Sequence, residues 1–177
     1  MKNLFKIIAI SLMMIIINSC TSQNVLPNQK VTSLLQSGEF TFLAERANPT
    51  NFDVINVLSS LPGGGSSQIL NLDYGYTLTL KKNEVVAVLP YFGRMFSPTF
   101  DNEKNSYRFT SKDFNINETM GKKGSVIYTI TPKDLQNVRA IILEVFKNGK
   151  AYLNIDGNDR QPISYDGYIM ENAVIKK

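Results

Sequence analysis

After residue 39, apolar and polar residues alternate along most of the chain, which is the pattern of β-strands with one buried face. In the first such segment, Phe40, Phe42 and Ala44 would share one face, and Thr41 and Glu45 the other. Similar segments follow at short, regular spacing between turn residues. They cover residues 76–80, 85–89, 107–109, 114–117, 126–130, 139–146, 152–155 and 163–170. This spacing predicts an antiparallel meander of eight or nine strands, curled into a sandwich or a partial barrel.

Helical periodicity is clear only in one short segment near the start of the domain. In residues 29–36, Val31, Leu34 and Leu35 would lie on one side of a helix, and Gly38 is a stop signal. No long helical segment separates the strands, which disfavours parallel βαβ units. The predicted fold class is therefore mainly β, with α+β as the alternative. One short N-terminal helix would cover a sheet face or plug one end of the sheet.

Turn signals add detail to this outline. Asn148-Gly149 tolerates the positive φ angles that a tight type I′ hairpin turn needs. Asp166-Gly167, inside the last strand, predicts a bulge or another tight turn. Residues 62–67, Pro-Gly-Gly-Gly-Ser-Ser, lack the Gly-Lys-Ser/Thr ending of a phosphate-binding loop and predict a flexible loop instead. The apolar positions just before that loop could pack, but they show no clear period.

The first twenty residues have the layout of a secretory signal peptide. Lys2 and Lys6 give a positive start, and the apolar run 7–17 is too short for a spanning helix, which needs roughly 20 residues. The run ends at Ile17-Asn18-Ser19-Cys20, which resembles a bacterial lipobox, where a peptidase cuts before a cysteine whose sulfur carries a diacylglycerol. Cys20 is the only cysteine. This favours lipid attachment over an ordinary signal peptide, since a secreted protein would otherwise carry an unpaired thiol.

The predicted organisation is a lipoprotein signal peptide at 1–19, a lipidated tether at 20–29 and a single β-rich domain at 30–177. The mature chain of 158 residues can bury a core without disulfides. Cleavage would remove Lys2 and Lys6 but no acid, so the net charge would fall from +4 to +2. Because no dense basic patch remains, we do not expect a nucleic-acid partner.

The composition excludes several catalytic chemistries. The chain has no histidine, which rules out a Ser-His-Asp triad, a Cys-His dyad and a histidine zinc site. Acylation of Cys20 would also remove thiol catalysis. Acid-rich turns at 101–103 and 156–159 could hold calcium, but they are more simply explained as turns whose side chains bond their own backbone. We therefore expect no catalytic residue, no metal site and no cofactor.

Carboxylates are the remaining candidates for catalysis. A glycosidase-type mechanism needs two acids that face each other across a cleft. The candidates, which the sequence alone cannot pair, are Glu45, Glu118, Glu144 and Asp166. Glu144 shares an alternating face with Val138, Ile142 and Phe146. It is therefore either solvated at a strand edge, the simpler interpretation, or buried with a partner.

Residues 89–94, Leu-Pro-Tyr-Phe-Gly-Arg, interrupt the alternation. Pro90 cannot donate a hydrogen bond within a sheet, so a strand should end there or lie at an edge. Gly93 permits backbone conformations that other residues resist. Together they predict a strand end followed by a bend, which we call the LPYFGR corner.

The corner supports two interpretations. In one, Tyr91, Phe92 and Arg94 form a presented binding site, with an aromatic face and hydroxyl from Tyr91 and a planar fork for a carboxylate or phosphate from Arg94. In the other, which we favour, the corner is architectural: Phe92 plugs the core and Arg94 pairs with a nearby acid.

The same hexapeptide carries a family resemblance. The resembling segments, in order, are 40–49 (FTFLAERANP), 89–94 (LPYFGR), 148–153 (NGKAYL) and 163–167 (ISYDG). This order resembles domain of unknown function 4251, a family of small envelope lipoproteins typical of Bacteroidetes. The resemblance covers about residues 30–172, and LPYFGR is its most specific piece. It implies an envelope location and brings no activity, substrate or catalytic residue.

These observations predict a lipid-anchored periplasmic protein that acts as a non-catalytic module and binds a small ligand or an envelope protein. The predicted membrane contact is the lipid on Cys20. Residues 21–24 lack the acidic run that resembles a surface-export signal, which favours the periplasmic side. The alternatives are a carboxylate-dependent envelope glycan hydrolase and an envelope structural or stress protein.

Overall fold

The structure is a computed structural model that describes residues 28–60, 70–96 and 106–173. Three of the predictions fall outside these residues. They concern the signal peptide with lipid attachment at Cys20, the loop at 62–67 and the acid-rich turn at 101–103. The first helix begins at Asn28, two residues before the predicted start of the domain.

The described residues form two α-helices, a short 3-10 turn and nine strands. The helices are α1 (Asn28–Ser37) and α2 (Phe52–Ser60), and the 3-10 turn spans Lys122–Gly124. The strands are β1 (Phe40–Pro49), β2 (Thr77–Lys81), β3 (Glu84–Pro90), β4 (Ser106–Ser111), β5 (Phe114–Met120), β6 (Val126–Pro132), β7 (Val138–Val145), β8 (Lys150–Gly157) and β9 (Ile163–Met170).

All nine strands belong to one antiparallel sheet in the order β4-β3-β2-β1-β9-β8-β7-β6-β5, which curls into a nearly closed barrel. The predicted mainly β fold and the helix at 29–36 are confirmed. Helix α2 was not predicted from its weak periodicity. It is supported locally by the Asn51 side chain, whose oxygen accepts a hydrogen bond from the Asp53 N–H (2.8 Å), as expected at a helix N-terminus.

One extended segment, residues 106–120, forms both edge strands of the sheet, β4 and β5. β4 pairs with β3 and β5 pairs with β6, yet only Lys112 and Asp113 separate β4 from β5. The Asp134 carboxylate accepts hydrogen bonds from the Ser111 hydroxyl (2.5 Å) and the N–H groups of Lys112 (2.8 Å) and Asp113 (3.2 Å). These bonds hold the pKa of Asp134 below its ordinary value. The two edges meet here, which turns the sheet into a barrel.

Side chains from the strands fill the barrel interior. Its core contains the aromatic residues Phe40, Phe42, Tyr107, Tyr128 and Tyr165, together with aliphatic residues from most strands. β5 contributes little, since its side chains are exposed except for the half-buried Phe114. Apolar residues of α1 join this core, so the helix covers one end of the barrel.

The β1–β9 pairing contains a bulge where the last strand carries Asp166-Gly167. The register skips Glu45 on β1. A side chain at Gly167 would place its Cβ only 1.9 Å from the Leu43 carbonyl oxygen, so the close approach of the two backbones requires glycine. The predicted irregularity is present, with the extra residue on the partner strand.

Helix α1 and the LPYFGR corner lie at opposite ends of the barrel. α1 precedes the start of β1, and the corner follows the end of β3, which runs in the same direction with β2 between them. Residues 158–161, between β8 and β9, lie at the corner end, where the Phe96 N–H donates to the Asp159 carbonyl (2.8 Å).

Candidate functional site

The LPYFGR corner begins where β3 ends, at Pro90, as predicted. The Pro90 carbonyl accepts a hydrogen bond from the hydroxyl of Tyr165 on β9 (2.6 Å). Further on, the N–H of Gln161 donates to the Arg94 carbonyl (3.0 Å). The bend is therefore fastened both to a core strand and to the 158–161 turn.

Tyr91 folds back over the corner. Its hydroxyl donates to the carbonyl oxygens of Arg94 (2.9 Å) and Gln161 (3.0 Å). A Cβ at Gly93 would lie 2.4 Å from the Tyr91 hydroxyl oxygen and 2.6 Å from its ring. Gly93 is required here because the tyrosine ring packs directly against the backbone.

A buried arginine from the opposite segment completes the cluster. Arg160 is 2% exposed, and its guanidinium donates two hydrogen bonds of 2.9 Å to the carboxylate of Asp159. The same guanidinium lies 5.0 Å from the ring centre of Tyr91 and 4.9 Å from that of Tyr107, within cation–π range. The two rings meet edge to face at 5.7 Å.

Titration behaviour follows from this packing. The hydrogen bond from Arg160 holds the pKa of Asp159 below its ordinary value. Burial raises the pKa values of Tyr91, Tyr107 and Tyr165, although the positive charge of Arg160 opposes the rise. The tyrosines therefore stay neutral at ordinary pH: Tyr91 and Tyr165 donate hydrogen bonds, and Tyr107 acts through ring packing.

The three residues predicted as a binding site do not share one environment. Tyr91 and Phe92 are half-buried and pack against the core, whereas the Arg94 side chain is exposed. Within the described residues no acid pairs with Arg94, so the predicted ion pair is not there. The acid-paired arginine of the corner is Arg160 instead. Binding by Tyr91, Phe92 and Arg94 stays a prediction, but the geometry gives the first two a structural role.

Sequence reasoning missed Arg160, and a weak signal for it exists. Residues 156–159 were considered as an acid-rich turn, and the next residue is an arginine. In the structure, both acids of residues 156–159 pair with arginines. Asp156 accepts a hydrogen bond from the Arg139 Nε (2.9 Å), and Asp159 forms an ion pair with Arg160. An arginine directly after the turn could have suggested this pairing in place of calcium.

A second candidate site is the crevice under α1. It measures about 410 Å³ and is lined by Val31, Thr32, Leu35, Gln36, Glu118, Gly124, Val126 and Lys147. Valine and leucine side chains form its walls, and a carboxylate and an ammonium group stand among its polar lining. The buried Tyr128 hydroxyl donates a hydrogen bond to the carbonyl of Leu35, one of the lining residues (3.2 Å). We call this site the α1 crevice.

Among the described carboxylates, two of the predicted candidates, Glu45 and Asp166, line one shallow cavity, and Glu118 lines the α1 crevice. The carboxylates with shifted pKa values are Glu84, Asp134 and Asp159, and all three are lowered by hydrogen bonds. A general acid needs a raised pKa. Glu144 is half-buried and accepts a hydrogen bond from the Ser125 hydroxyl (2.6 Å). A bulge in β7 turns Val138 to the buried side, so the prediction that it shares the face of Glu144 is wrong.

The described residues hold neither a cluster of metal-ligating side chains nor a membrane-spanning helix. They contain no group of three or more potential metal-ligating side chains of histidine, cysteine, aspartate or glutamate. Neither of their helices is long and apolar enough to cross a membrane.

Comparison with known proteins identifies a family. A family model described as a domain of unknown function (DUF4251) matches residues 23–169. Among solved structures, a DUF4251 family protein from Bacteroides eggerthii DSM 20697 is similar, with 10% sequence identity and a TM-score of 0.47. That similarity covers 81% of this chain and 87% of the other. No curated protein matches this chain.

Proposed function

This chain belongs to the DUF4251 family, and we propose that it is a non-catalytic binding module, held at the cell envelope by a lipid on Cys20 and facing the periplasm. The lipobox-like sequence at 17–20 supports the anchor. The absence of histidine and the lowered pKa values of Glu84, Asp134 and Asp159 favour binding over hydrolysis.

The observation that carries the binding role is the α1 crevice. The barrel interior is filled with side chains, but α1 does not seal the end that it covers. The volume of the α1 crevice, about 410 Å³, lies within the range of roughly 300–1,000 Å³ that is usual for small-molecule sites.

The lining indicates the kind of ligand. Val31, Leu35 and Val126 would contact an apolar body. The Lys147 side chain crosses the backbone at Gly124, where a Cβ would lie 2.8 Å from its nitrogen. That ammonium group can pair with an anionic head group. The ligand that fits is a small amphipathic molecule with an apolar chain and an acidic end that pairs with Lys147, away from the Glu118 carboxylate of the same lining.

A fluorescent fatty acid, 11-(dansylamino)undecanoic acid, tests this site. The full chain, as a bacterial envelope host processes it, is purified in an amphipathic polymer and titrated with the probe. We expect saturable enhancement of dansyl fluorescence. Gln36→Trp, which places a large ring in the crevice, should weaken binding by about tenfold or more.

Ser33→Trp is the matched control, since Ser33 is an exposed α1 residue outside the crevice lining. It should leave probe affinity unchanged, and Lys147→Gln should weaken binding of the fatty acid more than that of a neutral dansyl alkane. Absence of saturable binding, or equal losses in the two tryptophan variants, would overturn the assignment of the crevice.

The anchor is tested separately, by radiolabelled palmitate incorporation and membrane fractionation. We expect label on the wild-type chain and none on Cys20→Ser. Label retained by Cys20→Ser, or an unlabelled wild-type chain released in soluble form, would contradict anchoring without affecting the crevice.

A further inference from the structure

The outer face of the barrel carries exposed aromatic side chains around the β7–β8 hairpin. Phe146, just after β7, is 37% exposed, and Tyr152 on β8 is 38% exposed. Tyr168 on β9 is half-buried, and Tyr74, before β2, is 79% exposed. We call these four residues the outer aromatic patch.

Strand register places three of the patch residues, Phe146, Tyr152 and Tyr168, together. Tyr152 is paired with Asp166, and Tyr168 with Lys150. Phe146 lies opposite Lys150, to whose carbonyl its N–H donates a hydrogen bond (2.8 Å). Directly paired residues point to the same face of a sheet. The side chains that therefore project outward from adjoining strands are those of Phe146, Lys150, Tyr152, Asp166 and Tyr168.

The patch borders a shallow cavity of about 350 Å³. It is lined by Glu45, Phe146, Asn148, Lys150, Ala151, Tyr152, Asp166 and Gly167. Burial, the charge of Glu45 and Tyr74 together raise the pKa of Tyr168. Single exposed apolar residues are ordinary, but several around a concavity mark a binding surface.

Polar groups of both hydrogen-bonding types surround the rings. The Asp166 carboxylate accepts a hydrogen bond from the Asn48 amide (2.7 Å) and keeps further lone pairs. Asn148 can donate and accept, and Lys150 can donate. A ligand with many hydroxyl groups would find partners on several sides of the aromatic rings.

The charges of the lining restrict the ligand further. The Lys150 ammonium would repel an organic cation that approached the rings, and the Glu45 and Asp166 carboxylates would repel a phosphate or another anion. A neutral ligand avoids both costs. Pyranose sugars combine apolar C–H faces, which can lie on aromatic rings, with a rim of hydroxyl groups.

We propose that the outer aromatic patch is a binding site for neutral saccharides, with Phe146 and Tyr152 as the stacking surfaces and Asp166, Asn148 and Lys150 as hydrogen-bonding partners. This site lies on the outer sheet face and not under α1, so it can hold or fail independently of the α1 crevice.

The test uses two neutral probes, cellotetraose and the β-1,4-linked tetramer of N-acetylglucosamine, with the purified full chain. Saturation-transfer NMR should show transfer to the ring C–H protons of at least one probe, at a probe concentration of about 10 mM or below. Tyr152→Ala and Phe146→Ala should each weaken binding by roughly tenfold, because each removes a stacking surface.

Ile142→Ala is the matched control, since Ile142 projects outward from β7 with 39% exposure but lies outside the cavity lining. It should retain wild-type affinity. Asn148→Ala, in a turn beyond the strands, provides a second loss-of-binding variant if an aromatic substitution disturbs the sheet. Each variant is compared by its thermal unfolding midpoint.

Three results would overturn the proposal. They are no transfer to either saccharide, equal loss of binding in Ile142→Ala and Tyr152→Ala, and binding of the neutral peptide acetyl-Ala-Val-Ala-Val-amide at this patch without saccharide binding. The last result would reassign the patch to a protein partner.

Discussion

The barrel end at the LPYFGR corner is packed with aromatic rings around one buried arginine, whereas the end under α1 keeps an open crevice. At the corner, Tyr91, Tyr107 and Arg160 contact one another, and hydrogen bonds from Tyr91 and Gln161 fasten the loop. At the α1 end, β5 exposes nearly every side chain.

The comparison shows that the segment with the most recognisable sequence is not the segment most available for binding. The corner holds the most recognisable hexapeptide, yet its proline, first aromatic residue and glycine all have packing or hydrogen-bonding partners. The crevice and the outer aromatic patch are built from unremarkable residues on separate elements. Four predictions test the contrast, in order of decreasing effect on stability.

Alkaline pH should produce the largest loss. Burial raises the pKa of Tyr128 to about 12, and those of Tyr107 and Tyr165 rise as well. A phenol with a raised pKa in the folded state stabilises the protein below the unfolded pKa near 10, and that stability is lost as pH rises towards the folded pKa. Each phenol that stays protonated should contribute a slope of roughly 1.4 kcal/mol per pH unit.

Urea unfolding between about pH 9.5 and 11.5 measures this slope. Tyr107 and Tyr165 belong to the corner, as does Tyr91, whose pKa burial also raises. Tyr107→Phe combined with Tyr165→Phe should reduce the slope about twice as much as Tyr128→Phe. A slope unaffected by the corner substitutions would show that these phenols do not control alkaline unfolding.

Arg160→Ala should destabilise the fold by about 2–4 kcal/mol, because it leaves the Asp159 carboxylate unpaired and removes the cation from between two rings. Arg94→Ala, a neighbouring exposed arginine, should change the free energy of unfolding by less than about 0.5 kcal/mol. Chemical denaturation compares the two variants. Similar losses would remove the distinction between the packed arginine and the exposed one.

Gly93→Ala should cost about 1–3 kcal/mol, because the new methyl group would overlap the Tyr91 ring. In a Tyr91→Ala background the same substitution should cost at least about 1 kcal/mol less. A double-mutant cycle of unfolding free energies measures this coupling. Additive effects would mean that the Tyr91 ring is not the reason why glycine is required here.

Met120→Ser, on β5, should have the smallest effect, less than about 0.5 kcal/mol, since Met120 is 83% exposed. The measurement is again denaturant unfolding. A loss comparable with that of Gly93→Ala would indicate that the α1 end is as tightly packed as the corner.

Local patterns were sufficient for most elements of the fold. Period-two alternation located the strands, and Asn148-Gly149 marked the β7–β8 hairpin. Gly149 has a φ angle of 80°, but Asn148 has no positive φ angle, so the turn is not the predicted type I′. Gly38, with a φ angle of 66°, ends α1 as its stop signal predicted. These features depend on a residue and its close neighbours, so the sequence expresses them directly.

The bulges were harder to predict because they depend on a partner strand. Asp166-Gly167 indicated an irregularity, but the skipped residue, Glu45, lies on β1, more than a hundred positions away in the sequence. The bulge in β7 carried no signal and reversed the predicted face of Val138. A shift of one residue exchanges the two faces of a strand, so an undetected bulge misplaces every residue beyond it.

By itself, the sequence determined an antiparallel β-domain, a helix before it, a corner at Pro90 and the exclusion of histidine chemistry. Only the tertiary structure decided that Tyr91 bonds to Gln161, 70 residues away, that Arg160 and not Arg94 is the buried cation, and which side chains line the two proposed sites. Strand order and barrel closure bring these residues together, and both depend on pairings between distant segments that no local pattern encodes.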